Sequence, residues 1–517
     1  MGFHLRGASL VKAFDPHPER FRRRVEEAAE EDRGRIRRLR ASWRQTPSLL
    51  WPQSAFQPFP VTRPKTNLKV TSHARLPSLL EAHILHPVVA IPPMNFSRRS
   101  LLKTSTAASL GALVSPFPAI LAAGSPSKKI RCAVVALGRG MAHVNAILAC
   151  PNTEIAYVAE VDSGRLESGL KTIASKQASP CKGVKDFRSF LDDKSLDAVF
   201  IATPNFWHTP AAVLAMQAGK HVFVEKPGSQ NPFEAELIVE SSRKHKRLVQ
   251  MGNQRRTWMK EAIQHLRTEK PIGEVFFARS FYYASRKAIA QQAIKPAGEI
   301  DLELWQGPVA NERDIKPYVH YDWHWLWHWG NGELGNNGIH TLDVLRWGLG
   351  VDYPTRVSYH GARYRFQDSQ ETPDTGSALF DYGKVGIEWV QSSTHPRSAE
   401  KPVGECVFYG EGGTFVISGP AWTVYDPKGV KVSEGKGPGG GDLAHFGNFL
   451  DAIRGEGQLN SPIDEGQKST MLCHLGNIAY RTRSVLQPDP KTGRITGHAD
   501  AEKLWKRAYR AGWEPKA

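Results

Sequence analysis

Cysteine is scarce in this chain, with five in 517 residues: Cys132, Cys150, Cys181, Cys406 and Cys473. No two form a C-x-x-C pair, none has a histidine at metal-ligand spacing, and an odd number cannot all be paired. A complete disulfide framework is therefore excluded, no metal site is expected, and the five read as small core residues. Long apolar runs are also missing. The stretch Ala107–Val114 is apolar, but it is too short for the roughly 30 Å of a bilayer core, so stable membrane insertion is not expected. The formal charge of +17 invites a nucleic-acid reading. Most of that excess sits at the front: residues 1–93 carry +8 and residues 94–123 carry +3, which leaves +6 over the remaining 394. That is a mildly basic surface and not a stripe for nucleic acid.

Met94-Asn95-Phe96-Ser97-Arg98-Arg99-Ser100-Leu101-Leu102-Lys103 has the pattern of a twin-arginine export signal. The apolar run follows it, then small residues at Ala122, Ala123 and Gly124 that suit a cleavage site. Such a signal works only at an N-terminus. The expected start is therefore Met94, with residues 1–93 an extension that is not native and not folded. The alternative is a basic tail ahead of a chance Arg-Arg pair. The expected organisation is an extension over 1–93, a signal peptide over 94–124, a nucleotide-binding domain over 128–253 and a substrate domain over 254–510. Export by the twin-arginine route to the periplasm is the expected location.

Ile130–Leu137 is a short apolar run, as in a strand buried on both faces. It leads into Gly138-Arg139-Gly140 and a helix-like stretch to Ala149, then a second strand, Ile155–Ala159, ending at Glu160. This is the βαβ order of a dinucleotide fold, whose glycines let a pyrophosphate approach a helix N-terminus. Glu160, 22 residues after Gly138, has the place of the acid that accepts from the adenosine ribose. Ala136 stands where the first glycine is expected and Gly140 comes one position early for the third, so the loop alone equally describes a plain strand-to-helix turn.

Further strands end in polar residues: Asp197–Ala202 before Thr203-Pro204-Asn205, His221–Val224 before Glu225-Lys226-Pro227, and Leu248–Met251 before Gly252-Asn253-Gln254-Arg255. A helix is expected from Pro210 to Ala218. Ligands of open α/β sheets bind beyond the carboxyl ends of the strands, and Asn205, His208, Lys226 and Gln254 all lie there.

With Ala202–His208, Glu225-Lys226-Pro227 and Gly335-Asn336-Asn337-Gly338-Ile339-His340-x-x-Asp343 in view, the chain resembles the Gfo/Idh/MocA oxidoreductases over about residues 128–510. The resemblance implies an α/β protein: a Rossmann domain, then an α/β domain with a large open, mostly antiparallel sheet. It also implies hydride transfer between NAD, with NADP the lesser candidate, and a sugar, cyclitol or related polyol. Segments 274–283, 356–365, 376–382, 385–393, 403–409 and 413–418 read as strands, and 442–454 and 464–484 as helices.

Removing a hydride from a secondary alcohol requires a base for the hydroxyl proton. The resemblance assigns the lysine beside the nicotinamide to Lys226 and the acid/base histidine to His340. Many members carry an aspartate four residues before that histidine. This chain has Asn336, which cannot take the proton, so His340 is the expected base, with Lys226 assisting and Asn336 on the sugar. Asp343, three residues on, is expected either to orient the imidazole or to sit on the helix surface. Cofactor contacts are expected from Ala136, Gly138, Arg139, Gly140, Glu160, Thr203, Pro204, Asn205, His208, Glu225, Lys226 and Gln254.

The run Tyr321-Asp322-Trp323-His324-Trp325-Leu326-Trp327-His328-Trp329 suits stacking on sugar faces or, equally, core packing or a subunit contact. Trp207, Arg255, Tyr321, Trp325 and Asn336 are the expected substrate contacts. His324 and His328 have i, i+4 spacing but no third ligand, so a metal is set aside. A homo-oligomer is expected. Two other functions remain open: an NAD-dependent glycosidase or lyase that oxidises a sugar carbon transiently, and a sugar-binding protein without catalysis.

Overall fold

The structure, a computed structural model, describes residues 129–289, 298–310, 313–400 and 402–517. The expected extension and export signal lie outside the described residues. Six apolar segments, β1 (Ile130–Val135), β2 (Thr153–Ala159), β3 (Lys182–Val184), β4 (Ala198–Ile201), β5 (His221–Val224) and β6 (Val249–Met251), form one sheet in the order β3-β2-β1-β4-β5-β6. Every pairing is parallel. Parallel strands need crossovers, and these are the helices α1 (Gly140–Ala149), α2 (Ser163–Ala174), α3 (Asn205–Gln217) and α4 (Pro232–His245). Their starts are coded locally. The Asp162 carboxylate accepts from the amides of Gly164 and Arg165, and Asn231 accepts from the Glu234 amide with Pro232 at the first helical position. The strand order is that of a dinucleotide fold, which sets the ligand crevice beyond the carboxyl ends of β1 and β4.

Helix α3 starts at Asn205, ahead of the expected Pro210, and Pro210 lies inside it. Proline cannot donate to the carbonyl four residues back. That carbonyl, Phe206 O, instead accepts from Arg507 Nη2 at 2.8 Å, so a side chain from the C-terminal segment repairs the helix.

The second sheet has eight strands: β7 (Val275–Tyr283), β8 (Arg356–Ala362), β9 (Thr375–Asp381), β10 (Gly386–Ser392), β11 (Cys406–Gly410), β12 (Gly413–Ser418), β13 (Ala421–Tyr425) and β14 (Lys431–Lys436). Their order is β14-β13-β12-β11-β7-β10-β9-β8, antiparallel except for β7 with β10. The α/β architecture with a mostly antiparallel second sheet is as expected. The strands β13 and β14 went unread, because β14 is almost wholly exposed and carries no apolar alternation.

Helix α5 (Lys260–Thr268) and helix α6 (Ile339–Leu349) pack on the inner face of that sheet, where Trp389 and Phe408 are fully buried. The approach is close. A Cβ on Gly348 would stand 2.5 Å from the Phe408 ring. Two late helices, α7 (Gly441–Arg454) and α8 (Ile463–Thr482), return to the body. Helix α7 lies on the parallel sheet beside α1. Its Phe446 and Phe449 meet Phe223 and Phe200 at ring separations of 4.6 and 5.4 Å, and each buried ring contributes roughly 1.5–3 kcal/mol. Among the described residues no helix is long and apolar enough to cross a membrane.

Candidate active site

The turn from β1 into α1 is built without the expected first glycine. Ala136 takes its place with φ +67°, a left-handed conformation that costs an L-residue about 1 kcal/mol. The second departure is also absorbed. A Cβ at Gly140 would stand 3.0 Å from Val134 Cγ1, so Gly140 permits the close helix–strand packing usually served by the third glycine.

Glu160 closes the turn from beneath. Its Oε2 accepts from the Leu137 amide at 2.7 Å, and Oε1 accepts from the amides of Val161 and Asp162 at 2.8 and 3.1 Å. The carboxylate braces the loop and still lines the cleft.

The cleft above the strand ends encloses about 530 Å³. Ala136, Gly138, Arg139 and Glu160 line its loop side, and Thr203, Pro204, Asn205 and His208 line the ends of β4 and α3. Glu225, Lys226, Trp207, Tyr321 and Asn336 complete the predicted residues found there. His208 ties two strand ends together, with Nδ1 2.6 Å from Pro227 O and Nε2 2.8 Å from Thr203 O. Trp207 is pinned through its indole N–H to the carbonyls of Leu304 and Trp305.

Glu225 is buried and fully engaged. Arg139 Nε donates to its Oε1 at 2.9 Å, and His143 Nε2 lies 2.9 Å from the same oxygen. These partners hold the carboxylate well below its usual range despite burial. Arg139 also pairs with Asp442, the second residue of α7, at 2.9 Å. With its amide nitrogen directed at Gly252 O, Gln254 accepts from Arg139 Nη2 at 2.8 Å, and so it supports the arginine from behind. His143 was not anticipated, since one histidine on an apolar helix carries no sequence signal.

Lys226 faces a backbone irregularity. Residues Leu334–Gly338 form a single π-helical turn ahead of α6, a form often found at functional sites. This turn brings Asn336 to the lysine. Nζ donates to Asn336 O at 2.7 Å and to Asn336 Oδ1 at 3.0 Å. Burial pushes the Lys226 pKa down to about 8, Glu225 opposing and Arg139 reinforcing the shift. An ammonium has three N–H groups, so one remains for the cleft.

The remaining predicted residues lie elsewhere. His340 follows the π turn and is held well below its ordinary pKa by burial and by the charges of Arg255 and Lys226. It is outside the cleft lining, and its Nδ1 is buried without a partner. Asp343 does not orient that imidazole. It is fully buried in a two-pronged pair with Arg256, at 2.8 to 3.0 Å, and accepts from Ser469 Oγ at 2.6 Å. Three residues along α6 turn the carboxylate inward, where Arg256 satisfies it.

Arg255 is drawn away to Glu405 at 2.8 Å. Trp325 is buried under Arg286, whose guanidinium lies 3.9 Å from the ring centre, so it is core and not a sugar platform. The aromatic run gives Trp323 and His324 to the cleft instead. His324 stacks on Trp323 at 3.7 Å and approaches Tyr321 O through Nδ1 at 2.6 Å, and burial lowers its pKa to about 3.

The residues present fit a dinucleotide. The strand-to-helix turn opens on the N-terminus of α1, an acid stands at the end of β2, and Thr203 Oγ1 is buried without a partner at the cleft wall. Residues 130–253 match the model of the oxidoreductase family with an NAD-binding Rossmann fold, and residues 302–416 match the GFO/IDH/MocA C-terminal domain. Two segments of the chain thus match the models of the two domains found in Gfo/Idh/MocA oxidoreductases.

The cofactor of such a Rossmann domain is NAD. The chain is 28% identical over 209 residues to a glycosyl hydrolase family 109 protein of Saccharopolyspora erythraea, covering 36% of this chain and 46% of that one. It is 28% identical over 264 residues to the scyllo-inositol 2-dehydrogenase (NAD(+)) of Bacillus subtilis, covering 50% of this chain and 66% of the relative. The matches thus span between about half and two thirds of those curated relatives' lengths. In fold it is similar to the WlbA dehydrogenase from Bordetella pertussis, solved with NADH and UDP-GlcNAcA. The TM-score is 0.53 and identity 17%, covering 70% of this chain and 99% of that one.

Proposed function

We propose that the protein oxidises or reduces a CH–OH carbon of a sugar, cyclitol or related polyol. The observation that carries this reading is Lys226, with a pKa of about 8, held by Asn336 at the wall of the NAD cleft. Bound NAD supplies the hydride acceptor. In the protonated state Lys226 offers its third N–H to the substrate hydroxyl. In the neutral state it takes the hydroxyl proton on Nζ, and a pKa near working pH suits that exchange. Asn336 fixes the direction of Nζ. The Tyr321 hydroxyl is a further polar group assigned to the substrate side.

A second reading is favoured by the family 109 relatives and by the amide at position 336. The same transient oxidation would then be followed by elimination of a leaving group. One assay separates the two. With a panel of inositols and aldoses the first reading expects NADH to accumulate. With nitrophenyl glycosides the second expects nitrophenol release without net NADH. Neither signal across both panels overturns the oxidoreductase reading itself.

The Ser97–Lys103 pattern supports export through the twin-arginine route with the nucleotide already in place. Purified periplasmic protein should then release a nicotinamide nucleotide on denaturation. Protein that stays cytoplasmic, indifferent to Arg98→Lys with Arg99→Lys, overturns the export proposal.

A further inference from the structure

The aromatic run serves two clefts. Tyr321, Trp323 and His324 line the NAD cleft, while Trp327 and His328 line a second one of about 470 Å³. The clefts meet at one hydrogen bond: Asn205 lines the first, Asn331 lines the second, and Asn205 Nδ2 donates to Asn331 Oδ1 at 2.9 Å. Asn477, also on the second cleft, donates to Asn331 O at 2.8 Å. The N-terminal end of α4, Gln230 to Pro232, forms another wall.

Most cations of this cleft already have carboxylates. Arg313 pairs with Glu371 at 2.8 Å, Arg507 with buried Glu234 at 3.0 Å, and Lys503 with Asp500 at 2.9 Å. Lys506 is paired with Glu514. Arg481 is different. Among the described residues no carboxylate forms an ion pair with it, Glu371 acts on it only at longer range, and its exposed guanidinium lies 5.2 Å from the Trp327 ring centre. Two nitrogens nearby are also unsatisfied: the Arg507 Nη1 donor and the ring nitrogen His328 Nε2 are buried without partners. A buried guanidinium N–H without an acceptor is costly unless an anion completes it, and Arg481 adds a cation without an ion-pair partner to the same cleft lining. The aromatic wall and the size suit a ring of monosaccharide dimensions.

We propose that this second cleft binds a sugar or polyol bearing a carboxylate or phosphate. The anion lies at Arg481 and Arg507 and the ring lies against Trp327. The site is separate from the NAD cleft, so the inference does not depend on the reaction proposed above.

The test is calorimetric titration of the full chain, saturated with NAD, using D-glucuronate, glucose 6-phosphate, inorganic phosphate and D-glucose. At least one of the two acids should bind, and D-glucose should bind far more weakly. Arg481→Ala should weaken that acid about tenfold or more, the scale of a lost charge-assisted hydrogen bond. Arg481→Lys should keep part of the affinity, and Trp327→Ala should weaken the sugar acid but not inorganic phosphate. NADH affinity should be unchanged in all three, which separates loss of this cleft from loss of fold. Three outcomes overturn the proposal: no binding of either acid at millimolar concentration, binding indifferent to Arg481→Ala, or inorganic phosphate binding as tightly as the acids with Trp327→Ala without effect.

Discussion

Two buried glutamates lie within electrostatic reach of Lys226, and their pKa values are shifted in opposite directions. Glu225, at the end of β5, accepts from Arg139 and faces His143, and its pKa is driven well below the usual range. Glu333, one residue before the π turn, is as deeply buried but has a raised pKa. It accepts from Asn337 Nδ2 at 2.6 Å, and Arg286 Nε is 3.6 Å away. The residue type and the lysine are shared, so the partners decide. The strand-end floor of the cleft is built from closed pairs that hold geometry. The π-turn wall is built from groups left short of partners, where a small change in environment moves a proton.

The largest effect expected from this contrast is on stability. Glu225→Ala takes the acceptor from buried His143 and one of the acceptors from the partly exposed Arg139, which keeps Asp442, and losing such charge-assisted hydrogen bonds costs about 1.5–3 kcal/mol. Denaturant unfolding at neutral pH measures it, and a loss below ~1 kcal/mol would show that the floor is not held by this pair. The pH sign follows from the depressed carboxylate. Its contribution is present above the usual carboxylate pKa and lost as the pH falls through the lower folded value. The gap between wild type and Glu225→Ala should therefore close in acid.

Next in size is Lys226→Ala, expected to lose at least ~100-fold in turnover with the fold kept. Turnover within threefold of wild type, on a substrate the wild type uses, would remove Lys226 from the chemistry. Smaller again is the pH response. Alcohol oxidation needs neutral Nζ, so kcat/KM should rise with pH through about 8. Glu333 raises the Lys226 pKa, and Glu333→Gln should move that midpoint downward while changing stability little. An unmoved midpoint would break the comparison from the other side. The smallest effect belongs to Ala136→Gly, where relief of the left-handed strain and the added freedom of glycine in the unfolded chain nearly cancel, within about 1 kcal/mol.

Much of the fold was legible because its signals are local. Short apolar runs with polar ends marked β1, β4 and β5, and alternation marked most of the second sheet. Strand ends also pointed to the cleft, since side chains there have one way to face. What was not legible depends on contacts distant in sequence. Asp343 has the right spacing to reach His340, but spacing along a helix does not say what waits on its other side, and Arg256 does. Trp325 and Trp327 differ by two positions in one aromatic run, and only the tertiary surroundings send one into the core and the other to a cleft. The π turn that delivers Asn336 has no periodic signature at all. Arg139 was read as a cofactor contact, and its pairing with Asp442, 303 residues away, could not be read.

The placement of α7 has a consequence for how the chain is made. Phe200 and Phe223 belong to the nucleotide-binding half, yet the rings that cover them, Phe446 and Phe449, are translated more than 200 residues later. During synthesis that face of the parallel sheet stays uncovered until nearly the whole chain has left the ribosome. A fragment ending near residue 253 would keep every residue of the glycine turn and both acids, Glu160 and Glu225, while exposing a strip of phenylalanine to other chains. The half that binds the nucleotide is therefore expected to expose this strip until the last quarter of the protein is made.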